Sequence, residues 1–240
     1  MSQPETPNSA DQRSKEPLAR TGSNVSQEVL PTEAESNAAQ SVFGQRLSLA
    51  RRYVEHLATS GMERGLLGPR EVPRLWSRHV LNCAVVADLI PQAAEVADVG
   101  SGAGLPGLTF AIARPDLTLT LIEPLERRCI WLNEVVDDLE LENVTVFRSR
   151  AEQAIDHVNA DVVTARAVSA LGNLARLTMP LVHGRGEVLA IKGRSAAEEV
   201  QKASKVLRKL GADRTEVVIA GDGILDEPTT VVRISIGRPS

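Results

Sequence analysis

Between residues 96 and 210, short apolar runs and helical stretches alternate five times, and this rhythm constrains the fold more than any other feature. The runs at 96–99, 117–122, 144–147, 161–165 and 187–191 are nearly continuous in Val, Ile, Leu, Ala and Thr. Strands buried on both faces read this way, because helices cover both sides of a parallel sheet. A helical stretch follows each run, at 106–114, 125–139, 151–158, 170–181 and 196–210. The pattern predicts an α/β fold with a Rossmann-like, mostly parallel sheet between helices. The last two runs, "TEVVIAG" and "TTVVRISIG", are joined without a helical stretch and predict an antiparallel terminal hairpin at the sheet edge.

Upstream of the sheet the chain divides in two. Residues 1–40 are rich in Ser, Pro, Glu, Asn and Gln and contain no aromatic residue. Too little apolar surface is available there to offset the entropy of ordering, which predicts a disordered tail. From Ser41, the residues Phe43, Leu47, Ala50, Val54 and Leu57 recur at helical spacing. A second helical stretch spans 74–89, with Trp76, Val80, Cys83 and Val86 or Ala87 on its apolar face. The expected organisation is a tail at 1–40, an N-terminal helical element at 41–92 and a cofactor-binding domain at 93–240.

Composition narrows the function classes. Cys83 and Cys129 are the only cysteines, which leaves no disulfide framework and no Cys-x-x-Cys metal site. Buried free thiols in a reducing cytoplasm are expected, with no metal. No run approaches the roughly 20 apolar residues of a membrane span. The net charge of −4 conceals an uneven distribution: between Ser41 and His79 there are seven arginines and three acids.

The tip of the first run carries "DVGSGAGLPG", in which two motifs overlap. Gly102-Ala103-Gly104-Leu105-Pro106-Gly107 is a literal G-x-G-x-x-G, the dinucleotide fingerprint. Asp98, Gly100, Gly102 and Gly104 instead form the acid-led glycine loop of enzymes that bind S-adenosyl-L-methionine. Both readings need glycines where the backbone approaches a cofactor, and both want an acid after the second strand for ribose hydroxyls. Glu123 meets that need. Asp98 separates the readings, because a carboxylate at the strand tip suits the methionine ammonium and opposes a pyrophosphate. S-adenosyl-L-methionine is therefore the expected cofactor, with Asp98, Gly100, Gly102 and Glu123 among its contacts. An NAD-linked oxidoreductase is the alternative enzyme class, and a non-catalytic methyltransferase-like RNA-binding module is the alternative without chemistry.

Later strand ends add candidates. Ala151 and Glu152 stand at the junction after the third strand, placed to meet an adenine, and Arg166 ends the fourth. The fourth-strand segment "TARAVSAL" has neither the Asn/Asp-Pro-Pro-aromatic loop of exocyclic-amine methylation nor the cysteine of cytosine C5 methylation. An acceptor that is already nucleophilic fits these absences. Guanine N7 is one, since its in-plane lone pair carries no proton near neutral pH. No single ionisable side chain is then expected to be indispensable for chemistry, and His79 reads as a histidine that packs between helices.

The stretches "RHVLN", "DVGSGAGLPGL", "RRCIWLNEV", "SRAE", "TARAV" and "LAIKG" together resemble the RsmG (older name GidB) family of bacterial 16S ribosomal RNA guanine-N7 methyltransferases. The resemblance runs from about Phe43 to the end. It implies a class I S-adenosylmethionine-dependent fold and cofactor contacts at Gly100, Leu105, Ala151, Glu152 and Arg166. It also implies methyl transfer to guanine 527, in the usual rRNA numbering, of the 530 loop in 16S rRNA or the small ribosomal subunit. A cytoplasmic monomer is expected. Glu123 stands where the family often has Asp, and Asn82-Cys83 where it usually has Asp-Ser.

Overall fold

The computed structural model of the protein describes residues 29–167 and 169–237. Its sheet comprises β1 (Glu95–Val99), β2 (Thr118–Ile122), β3 (Val144–Phe147), β4 (Val162–Arg166), β5 (Gly186–Lys192), β6 (Ala212–Ala220) and β7 (Thr229–Ile236). The spatial order is β3-β2-β1-β4-β5-β7-β6. Strands β1 to β5 pair in parallel, and β7 pairs antiparallel with both β5 and β6. The expected hairpin is present, with β7 inserted beside β5 and β6 at the edge. The order reverses at β1, so β2 and β4 flank it and leave a crevice at their carboxyl ends, where open α/β sheets collect ligands.

Helices α4 (Gly107–Ala113), α5 (Glu126–Asp138), α6 (Ala151–Ala154), α7 (Leu171–Thr178) and α8 (Ala196–Lys209) occupy the crossovers. Every residue of β1 after Glu95 is buried, which explains the unbroken apolar run. One face of the sheet packs Leu119 and Leu121 with Leu108, Phe110, Ile112 and Trp131. The other packs Ala97, Val99, Val163 and Val188 against Leu171, Leu174 and Leu207.

The N-terminal helices join the first of these cores rather than forming one of their own. Tyr53, Leu57, Leu75 and Val80 are fully buried within it. Trp131 is core, as its position in an otherwise packed helix suggests, and its Nε1–H donates to Ser60 Oγ at 2.9 Å. The stretch at 74–89 is helical but changes pitch, from a π-helical segment Leu75–Leu81 through α3 (Asn82–Ala84) to a 3-10 turn Val85–Leu89. Among the described residues, no helix is long and apolar enough to cross a membrane.

The boundary expected for the disordered tail is corrected. Helix α1 (Glu33–Phe43) begins well before Ser41 and buries Ala38, Ala39 and Phe43. A capping box starts it: Thr32 Oγ1 accepts the Glu35 amide at 3.2 Å, and Glu35 Oε2 accepts the Thr32 amide at 2.8 Å. The average composition of residues 1–40 concealed that local signal. The rest of the tail, residues 1–28, lies outside the described residues. After α1 the chain continues through a 3-10 turn into α2 (Leu47–His56).

Gly107 shows how tightly α4 sits on the sheet. A Cβ there would meet the Leu121 side chain and would lie 2.8 Å from Asp98 Oδ2. Gly172 in α7 differs, since its added Cβ would touch Ala203 at an ordinary 3.8 Å. Gly107→Ala should therefore lose about 1–3 kcal/mol of stability through overpacking. Gly172→Ala should be neutral or gain up to about 1 kcal/mol from helix propensity. Urea unfolding of both variants checks this, and equal midpoints would refute the close packing at Gly107.

Candidate active site

The glycine loop after β1 is fixed by its own hydrogen bonds. Gly100 N–H donates to Ile122 O at 2.8 Å, Gly104 N–H to Ser101 O at 2.7 Å, and Leu105 N–H to the same oxygen at 3.2 Å. Gly100, Gly102 and Gly104 have φ of +71°, +57° and +80°, a region costly for residues with a Cβ. Ser101, Ala103 and Leu105 are buried, so the loop is packed into the protein, with Gly100 and Gly102 partly exposed.

Two carboxylates hold this loop. Glu123, just beyond β2, is buried; its Oε2 accepts the Gly102 amide at 3.0 Å and its Oε1 the Leu125 amide at 3.0 Å. Arg128 lies 3.5 Å from Oε2. An ionised carboxylate has about four acceptor positions, so two remain for ribose hydroxyls. Asp98 is wholly buried at the tip of β1. Its Oδ2 accepts the Gly107 amide at 3.0 Å, while Oδ1 has no hydrogen-bond partner. Burial pushes its pKa up to about 7 against the opposing effect of the Gly107 hydrogen bond; Glu123 raises it further and Arg166 lowers it. A buried anionic oxygen without a partner fits a cationic ligand group such as the methionine ammonium.

The other expected residues lie along the same edge of the sheet but are not all in contact. Ala151 and Glu152 open α6 after β3, with Ala151 buried and Glu152 exposed. No direct contact joins them to the glycine loop among the hydrogen bonds and ion pairs of the described residues. Arg166 ends β4 on the opposite side of β1, and its guanidinium points into the N-terminal helices. It donates to His79 Nδ1 at 2.8 Å, Cys83 Sγ at 3.2 Å and Arg78 O at 3.3 Å. His79 is packed and buried as expected, and both of its ring nitrogens are hydrogen-bonded, to Arg166 and to Glu71. Burial and the adjacent Arg166 hold its pKa below the ordinary histidine value, although Glu71 pulls the other way.

Beyond the ends of β4 and β5 opens a cleft of about 920 Å³, within the usual range for ligand pockets. Arg166 and Lys192 line its sheet side, Arg74, Arg78 and Asn82 come from the helices, and Ile224 to Glu227 close it from the β6–β7 loop. Two of the three donors of the Lys192 ammonium are engaged, by Ser169 O at 2.7 Å and by Glu199 Oε2 at 2.9 Å.

A contact to the glycine loop also escaped sequence reasoning. The buried Tyr53 hydroxyl donates to Ala103 O at 2.6 Å and ties α2 to the glycine loop. Burial, with Cys83 and Asp98 nearby, raises its pKa well above the phenol value. Helical periodicity marks Tyr53 only as an inward-facing residue.

Comparison with known proteins bears on this arrangement. The family described as rRNA small subunit methyltransferase G matches residues 46–226. A ribosomal RNA small subunit methyltransferase G from Pseudarthrobacter chlorophenolicus is 72% identical over 208 residues, covering 87% of this chain and 96% of that one. The chain belongs to the rRNA small subunit methyltransferase G family. A protein of the same name from Rhodococcus jostii is 54% identical, over 83% of this chain and 88% of its own. Among solved structures, M. jannaschii TYW2 in complex with AdoMet has a TM-score of 0.53 at 17% identity, covering 69% of this chain and 78% of that one. A SAM-dependent O-methyltransferase from Thermotoga maritima has a TM-score of 0.51 at 16% identity, over 78% and 72% of the two chains. The two structures share the fold of this family member.

The raised pKa of Asp98 has a consequence for stability. An unfolded aspartate titrates near about 3.9, so the native state binds more protons from there up to about 7. Native stability is therefore lost as pH rises through that window, and the loss is constant above it. Asp98→Asn should gain stability relative to the parent between about pH 4 and 7, by on the order of a few kcal/mol. Urea midpoints at pH 5 and pH 8 measure the difference. Parallel profiles for parent and variant would contradict a carboxyl that resists ionisation.

Proposed function

We propose that the chain is an S-adenosylmethionine-dependent methyltransferase acting on small-subunit ribosomal RNA, at N7 of guanine 527. The observation that carries this reading is the acid-led glycine loop, with a partnerless carboxylate oxygen buried beneath it at the switch point of the sheet. Family membership supports the same activity and leaves the oxidoreductase and non-catalytic readings without support. We take the enzyme to act as a monomer in the cytoplasm, with no metal.

Gly100, Gly102 and Leu105 would hold the methionine part of the cofactor, with Asp98 beneath its ammonium. Glu123 would take the ribose, and Ala151 and Glu152 the adenine. Arg166 would close the site from β4. When bound, S-adenosylmethionine supplies a sulfonium methyl group, which an in-plane lone pair such as that of guanine N7 accepts without losing a proton. The residues then have to orient and desolvate rather than remove a proton, and orientation is worth roughly 7–11 kcal/mol in favourable cases. The cleft between Arg74, Arg78 and Arg166 opens beside the cofactor residues, with exposed cations at its mouth suited to RNA phosphates.

Transfer of a labelled methyl group from S-adenosylmethionine to small-subunit rRNA tests the reading. The parent should label the RNA. Gly100→Asp would place an anion against the methionine carboxylate, and it should lower single-turnover transfer by at least about a hundredfold while remaining folded. Parental transfer by this variant, or calorimetric binding of NAD in place of S-adenosylmethionine, would refute the assignment.

A further inference from the structure

Arg166 reaches its position through a chain of contacts that the proposed function does not require. Its guanidinium has donors only, so His79 Nδ1, 2.8 Å away, must accept and must be unprotonated. The remaining ring proton then sits on Nε2, which is 2.7 Å from Glu71 Oε2. Glu71 lies in the 3-10 turn Pro69–Arg74 and His79 in the π-helical segment that follows. His79 is buried, with 6% of the residue exposed, so both ring nitrogens depend on protein partners. Two neighbouring elements thus fix one tautomer of one buried ring, and that ring faces the guanidinium at the cleft wall.

We propose that His79 is a positioning residue for Arg166: its neutral ring, with the Nε2–H anchored on Glu71, holds the guanidinium against the cleft. This rests on the reading of Arg166 as part of the cofactor site. The charged and titratable groups facing the ring are Arg166 from β4, Glu71 from the preceding turn and Arg78 on its own segment; Cys83 shares the guanidinium. Protonation of Nδ1 removes the acceptor and sets an imidazolium against Arg166. Because the native pKa lies below the ordinary value, the neutral ring persists to pH values below about 6.5, and the positioning is lost as pH falls further.

Two substitutions separate the two nitrogens. Asn places its amide oxygen near the position of Nδ1, so His79→Asn keeps an acceptor for Arg166. Gln extends to the position of Nε2, so His79→Gln keeps the Glu71 side and loses the acceptor for Arg166. Calorimetric affinity for S-adenosylmethionine should fall by roughly tenfold or more in His79→Gln and in Arg166→Ala, and by less than about threefold in His79→Asn. The part of the parent's acid-side loss of affinity that comes from protonating His79 should be absent in His79→Asn, leaving the loss that protonation of Asp98 brings to both proteins. Thermal melts establish that the variants are folded. A third readout, the His79 pKa followed by NMR, should rise in Arg166→Ala because a neighbouring positive charge is gone. Equal affinities in the Asn and Gln variants, an unchanged acid limb in His79→Asn, or an unmoved His79 pKa in Arg166→Ala would each overturn the proposal. A raised pKa with parental cofactor affinity in Arg166→Ala would instead defeat the cofactor role of Arg166 while upholding the contact.

Discussion

The hydrogen bond from the Gly107 amide to the Asp98 carboxylate, made out of reach of water, is the constraint on which the site depends. It joins the tip of β1 to the first turn of α4 and so closes the glycine loop between them. Burying a carboxyl with one unpaired oxygen costs free energy, and the raised pKa is the visible sign of that cost. A neutral residue would cap α4 more cheaply. The cost makes sense if the free oxygen meets a cation during the working cycle, when pairing offsets the desolvation.

Around this bond the loop is held on two further sides. Glu123 takes the Gly102 amide from β2, and Tyr53 reaches the Ala103 carbonyl from α2. The second contact matters because it comes from outside the sheet. Together with the docking of Arg166 on His79, Cys83 and Arg78, it makes the N-terminal helices a wall of the site we propose for the cofactor. The same helices carry the exposed arginines at the mouth of the cleft. A displacement of these helices would therefore act on both the glycine loop and Arg166.

The sheet was legible in the sequence because burial on both faces leaves nearly continuous apolar runs in the inner parallel strands β1, β4 and β5, while the edge strand β3 is only partly buried and reads from Val144, Val146 and Phe147. Run 144–147 coincides with β3, and the others lie within a residue or so of their strands. The positions of the glycine loop after β1 and of Glu123 after β2 were legible because both lie at fixed places in a strand–turn–helix unit, where Glu123 holds the Gly102 amide. Helix α1 was missed although its signal is local; the Thr32 and Glu35 capping pair sits inside a stretch whose average composition reads as disorder. The Arg166–His79 contact was not legible at all. The partners are 87 residues apart, and no local pattern pairs a strand-end arginine with a ring on a π-helical turn. Lys192 likewise ends β5 with two donors held by Glu199 and a backbone carbonyl, partners that no local pattern reveals.

The central claim is that this site delivers a methyl group to an in-plane ring nitrogen that needs no deprotonation. Methylation at N7 leaves the purine ring positively charged and open to borohydride reduction, after which aniline cleaves the RNA at that nucleotide. The most direct measurement is therefore chain scission of small-subunit rRNA after reaction with the purified protein and S-adenosylmethionine, read by primer extension. The account predicts one enzyme-dependent stop, at guanine 527. Incorporated methyl without scission, or scission at another guanine, would contradict it.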